Sequence, residues 1–217
     1  MSTKTTTIIS TALIVCATLA GLLLWNLLPD PMASHWGIND QANGTMSKFW
    51  GIFLMPVIST GMLLLFLVIP SIDPLKANVA KFRESFNTFI LLLMVFLVYI
   101  YGLTLAWNLG YTGIHMSTAI LPAIGLLFFF IGGMMSKARR NYFIGIRTPW
   151  TLASDTVWDE THRVGGMLFK VSGILAMVSV FFPPMVAFWF LFLPLIGSTF
   201  FSVVYSYILF QRETKKG

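Results

Sequence analysis

Six apolar runs, parted by short segments rich in glycine, proline and charge, leave this chain few folds to choose from. The first, Ile8 to Leu28, is 21 residues long, enough to cross a hydrocarbon core of about 30 Å at about 1.5 Å per residue. The others run from about Gly51 to Ile69, Asn87 to Leu109, Thr118 to Met135, Val164 to Phe182 and Met185 to Phe210. In lipid every backbone polar group needs an internal partner, so runs of this length fold as helices. The expectation is an all-α integral membrane protein with six transmembrane helices. Composition agrees: 10% of residues are charged, against about 25% in soluble domains. The first run outlasts the roughly 7 to 15 apolar residues of a signal peptide, so it is expected to be a retained span.

Six spans put both termini on one side, and the basic residues choose the side. Of the 14 Lys and Arg residues, only Lys48 falls on the face opposite the termini, and Lys170 lies within the fifth run. The rest sit at Lys4, in the second loop (Lys76, Lys81, Arg83), in the fourth (Lys137, Arg139, Arg140, Arg147, Arg163) and in the tail (Arg212, Lys215, Lys216). The positive-inside rule therefore predicts cytoplasmic N and C termini in the cell membrane. The formal charge of +6 is spread beside apolar runs, so the lipid bilayer is the expected partner and nucleic acid is not. A single cysteine, Cys16, excludes an intramolecular disulfide and an all-cysteine metal site.

Three units are expected: 1–70, a two-span unit with an extracellular loop at 29–50; 71–136, with spans three and four; and 137–217, with a cytoplasmic motif at 141–166 and spans five and six. The outer segment, with Pro29, Asp30, Pro31 and the turn pair Asn43–Gly44, is expected to be an ordered loop. Tyr99, Tyr101 and Trp107 gather toward one end of span three, as an interfacial aromatic belt would.

The longest polar stretch reads NYFIGIRTPWTLASDTVWDETHRVGG, from Asn141 to Gly166. Gly145 and Pro149 predict a segment folded back on the bundle up to Trp150. From Asp155 a helix is expected, capped by Ser154 and continuous with span five, with Gly165 and Gly166 allowing a neighbouring helix to pack closely. On that helix Asp159, His162 and Arg163 share a face. The spacing suits an ion pair or half a metal site, and the plainer reading is a solvated salt bridge. Trp150 and Trp158 read as interfacial anchors or partner contacts. Lys170 is expected to snorkel toward the cytoplasm, the alternative being a buried partner. Outside, His35 beside Trp36 is a candidate pH-sensitive contact.

No nucleophile elbow, HExxH helix or phosphate loop is present, so no catalytic residue, metal or cofactor is expected. An enzyme using His162 with Asp159 or Glu160 ranks last. A small transporter or exporter, with Lys170 near its path and Pro56, Pro122 and Pro194 as helix breaks, is the alternative reading.

The Asn141–Gly166 stretch resembles the signature of the SdpI membrane proteins, a family named for immunity to a secreted peptide toxin. The segment LPDPMASHWGINDQANGTMSK resembles the family's companion outer-loop signature. The resemblance places Asn141, Gly145, Arg147, Pro149, Trp150, Trp158, Thr161, His162, Arg163 and Gly166 at motif positions inside, and Pro29, His35, Trp36, Gly44, Ser47 and Lys48 at motif positions outside. Ala33 stands where the family often has proline, and Asp40 where glycine is common. The resemblance implies a six-span protein that protects the cell from a membrane-active toxin and, in some members, relays toxin presence to a cytoplasmic winged-helix repressor. A polytopic immunity or signalling protein without catalytic activity is the first hypothesis, and it predicts that Arg147→Ala or His162→Ala reduces protection without lowering membrane abundance.

Overall fold

The computed structural model describes residues 1–215; Lys216 of the basic tail lies outside the described residues. Among the described residues, six helices are long and apolar enough to cross a membrane. They are α1 (Thr3–Leu23), α2 (Lys48–Ile72), α4 (Arg83–Asn108), α5 (Met116–Met135), α7 (Asp155–Val178, prolonged by a 3-10 turn at Ser179–Phe181) and α8 (Pro184–Thr214). Two short helices, α3 (Lys76–Lys81) and α6 (Pro149–Ala153), lie between them. The fold is not purely helical: strands β1 (Met32–Trp36) and β2 (Ala42–Met46) form an antiparallel hairpin between α1 and α2.

Helix ends follow local chemistry more than hydropathy. Helix α1 starts five residues before its apolar run because the Ser2 side chain accepts from the Thr5 N–H. Its stripe Thr6, Ser10, Ile14, Ala17 and Gly21 is buried against α4 and α2. Helix α2 runs through Pro70 to Ile72, and Pro184 opens α8 as its first residue, a position where a missing N–H costs nothing. Tyr101 is not part of an interfacial belt: it is buried, its hydroxyl against Gly21 of α1, because a glycine there leaves a gap that the phenol ring fills.

Helix α4 packs on α1 and α2, α7 on α5 and α8, and α4 meets α5 between the two groups. The closest approach is between α5 and α7, where glycines face each other's backbone. A Cβ on Gly125 would lie 2.6 Å from the Gly173 carbonyl oxygen, and one on Gly173 would lie 2.5 Å from that of Gly125. Seven residues along each helix, Gly132 and Gly166 repeat the arrangement. Both pairs keep one antiparallel register. Without side chains between them the helices gain dispersion contact along their length, which drives helix association in lipid. The α7–α8 seam also uses small residues: Ser172 meets Ser198 at 3.0 Å, and Gly165 lies beside Ser202.

The hairpin turn is not at Asn43–Gly44, which lie in β2. It is made at Gly37–Gln41, with Asp40 in the left-handed region at φ 59°. Gly44 instead sits opposite His35, whose Cβ would lie 3.0 Å from any Cβ there. The Asp30–Pro31 peptide is cis. Two side chains fasten the hairpin to the helices. Asn108, at the end of α4, accepts from the Ala33 N–H at 2.8 Å and donates to the Ala33 carbonyl at 3.0 Å, pairing with β1 as a third strand would. The Asp40 carboxylate accepts from the backbone N–H and hydroxyl of Ser117, at 2.7 and 2.9 Å, in the first turn of α5.

Candidate functional site

The motif segment packs at the end of the bundle away from the hairpin. Asn141 is fully buried and organises its first turn. Its side-chain oxygen accepts from the N–H groups of Phe143 and Ile144, and its amide donates to the carbonyls of Arg139 and Ile144. Gly145 follows at φ 116°, a left-handed conformation suited to glycine, and a Cβ there would strike the His162 ring.

That ring is the centre of the cluster. The Ile146 N–H donates to His162 Nε2 at 2.9 Å, and Nδ1 donates to the Trp158 carbonyl at 2.9 Å. A backbone N–H can only donate and a carbonyl can only accept, so this geometry defines a neutral imidazole with its proton on Nδ1. The indole of Trp158 stacks on the imidazole, ring centroids 4.0 Å apart, and donates from Nε1 to the Ala138 carbonyl at 2.9 Å. Trp158 is 0% exposed and His162 1%.

Two expectations change here. Trp158 is a core residue and no interfacial anchor. Asp159 and Arg163 do form solvated ion pairs at the start of α7, though not with each other: Asp159 reaches Arg139 at 2.6 Å and Arg163 reaches Glu160 at 2.8 Å, while His162 joins neither a charged pair nor half a metal site, because both its nitrogens are committed to backbone. The buried stripe of α7 runs Trp158, Thr161, His162, Gly165 and Gly166, and carries the imidazole inward.

The next residues cap themselves. The Thr148 side chain accepts from the Thr151 N–H while Thr151 accepts from the Thr148 N–H, a reciprocal capping box with Pro149 as the first residue of α6. Thr148 also contacts Ser206 of α8 at 3.0 Å, and Trp150 packs on Tyr207 at 5.0 Å. Arg147 and Arg163 are exposed, and Arg147 donates to the Tyr142 carbonyl at 2.7 Å.

Residues distant in sequence complete the site, and the sequence offered no sign of them. Asp73, buried after α2, accepts from the Leu75 N–H at 2.6 Å and from the Tyr142 N–H at 2.9 Å. Asn78 donates to the Arg140 carbonyl at 2.9 Å, and Arg140 itself pairs with Asp155 at 2.8 Å. Lys170 forms no ion pair with these groups among the described residues. Its stem crosses α5 over Gly132 and Gly133, and it lines a groove facing α4.

At the opposite end Asp30 accepts from the Lys48 N–H at 3.1 Å, while Pro29 is exposed and Ser47 makes no side-chain bond at the start of α2. His35 Nδ1 pairs with Asn43 Oδ1 across the strands at 2.6 Å, Trp36 lies edge-on to Trp107 at 5.6 Å, and the Lys48 ammonium lies 5.8 Å from the Trp25 ring centre. The two sets of motif residues thus form two clusters, one at each end of the bundle.

Residues 137–206, which contain the whole Asn141–Gly166 motif, match the SdpI/YfhL protein family. Residues 12–60, which contain the hairpin, match a domain of unknown function, DUF1648. Immunity protein SdpI of Bacillus subtilis (strain 168) is 31% identical over 176 residues, covering 81% of each chain. The chain belongs to the SdpI family. No solved structure matches it. Neither the family's description nor that relative's name denotes an enzyme. The SdpI-family match begins at Lys137, so it takes in Ala138, Arg139 and Arg140, which hold the motif's leading edge through Trp158, Asp159 and Asp155. Asp40 occupies a backbone conformation that favours glycine and adds a cap on α5.

Proposed function

We propose that this protein confers immunity to a secreted, membrane-active peptide toxin, with both termini and the Asn141–Arg163 motif in the cytoplasm and the hairpin outside. The observation that carries the reading is the 31% identity to a protein named for immunity, sustained over 81% of both chains. The basic residues at the motif end support the orientation, since cytoplasmic flanks carry an excess of Lys and Arg.

In that orientation a toxin arriving from outside meets a cleft of about 500 Å³ between the hairpin, α4, α5 and α8, lined by His35, Trp36, Ile100, Met116, Leu121 and Phe188. Its apolar wall suits the apolar face of a membrane-active peptide. A relay to a winged-helix repressor would use the exposed basic groups Arg139, Arg147 and Arg163 at the other end.

Expression in a toxin-sensitive host tests the reading. Survival should rise in the presence of secreted peptide toxins of this class, and unchanged survival against a panel of them would sink it. Arg147→Ala separates the two roles. Its side chain is exposed and holds one carbonyl, so abundance should stay normal and survival unchanged, while any repressor capture at the membrane falls.

A further inference from the structure

The groove that Lys170 enters has a chemistry of its own. It encloses about 350 Å³ between the start of α4 and the end of α5. Its floor is apolar, from Phe89, Leu92 and Phe129, and its rim carries Lys137, Lys170 and the Ser85 hydroxyl. Lys170 belongs to α7 and reaches the rim only because α5 lacks side chains where the stem crosses. A Cβ on Gly132 would lie 2.9 Å from Lys170 Cγ, and one on Gly133 would lie 3.7 Å from its Cε.

Neither lysine forms an ion pair among the described residues. Glu84, which precedes Ser85, faces the Met1 amino group at 3.6 Å. Two cations over an apolar trough on a helix that lipid surrounds match a ligand with one anionic head and a hydrocarbon tail. We propose that this groove binds one anionic phospholipid, its phosphate between Lys137 and Lys170 and an acyl chain along Phe89 and Leu92. Basic pockets between transmembrane helices recognise phospholipid heads through this combination of charge and apolar depth. The site is independent of toxin immunity and of the bundle's orientation.

The full chain in nanodiscs of equimolar phosphatidylglycerol and phosphatidylcholine, followed by native mass spectrometry of retained lipid, tests the assignment. Phosphatidylglycerol should be retained in preference. Lys137→Gln and Lys170→Gln should each reduce that preference about fivefold, the weight of one basic side chain at an anionic surface. Lys170→Arg should keep it. Lys137→Glu and Thr88→Glu, both at exposed positions, should abolish it at normal membrane abundance. Equal retention of both lipids by the natural chain, or an unchanged preference in the glutamate variants, overturns the proposal. So does displacement of the lipid by millimolar inorganic phosphate, which would mark a soluble-anion site, or a second copy of the chain occupying the groove.

Discussion

His162→Ala is expected to lower the amount of folded protein in the membrane, and any loss of protection follows from that loss. The imidazole accepts the Ile146 N–H, donates to the Trp158 carbonyl and carries the stacked indole of Trp158, all within a buried cluster. Alanine would strand a buried donor, at a cost of about 1–3 kcal/mol, and open a cavity beneath Trp158. Comparable truncations of large buried side chains cost about 3–5 kcal/mol. The sum is a large share of the ~5–15 kcal/mol that holds a typical domain folded. The expectation from sequence was reduced protection at normal abundance for both residues; the buried imidazole changes it for His162→Ala, which is expected to lose both, while Arg147→Ala, at an exposed position, is expected to keep its abundance. The check is the thermal midpoint in detergent, with membrane abundance by immunoblot. A His162→Ala protein with the natural midpoint and abundance would contradict the buried, doubly bonded imidazole.

Gly132→Leu or Gly166→Leu is expected to be as severe. The new side chain would meet the backbone carbonyl of the facing helix, which cannot rotate aside as a side chain can. Overpacking costs about 1–3 kcal/mol where side chains can shift, and here α5 and α7 must part along their length, which surrenders the dispersion contact that joins them. Alanine at either position should lie between the natural chain and leucine. Gly61→Leu and Gly197→Leu supply the contrast, since nothing lies within 4 Å of a Cβ at either site, and both should accumulate normally. Comparable yields of Gly166→Leu and Gly197→Leu would sink the account.

The six long helices could be read from sequence because lipid imposes a simple demand: a sustained apolar run with its hydrogen bonds inside. The interface glycines were half legible, Gly165 and Gly166 announcing a close approach without saying to what. On α5, Gly132, the partner of Gly166, and Gly125, the partner of Gly173, looked like any glycines in an apolar run. The hairpin was missed because a turn pair in the right place drew attention to Asn43–Gly44, while the chain reverses at Gly37–Gln41 with Asp40 held by α5. For His162 the signal was present and misread. Spacing to Asp159 suggested a charged face, yet Trp158, Thr161, Gly165 and Gly166 trace a stripe of large and small uncharged residues at helical intervals that takes His162 with it. Asp73 and Asn108 were beyond reach, because a buried carboxylate or amide declares its purpose only when a distant backbone is brought to it.

The shared register of the two glycine pairs denies α5 and α7 any sliding motion, for a shift of one residue would drive a side chain into a carbonyl. Asp40 fixes the hairpin turn to the start of α5, and at the far end Trp158 and His162 fix the start of α7 to the loop before it. From hairpin to motif, α5 and α7 are therefore one register-locked pair roughly 30 Å long, tied at one end through Asp40 and at the other through His162.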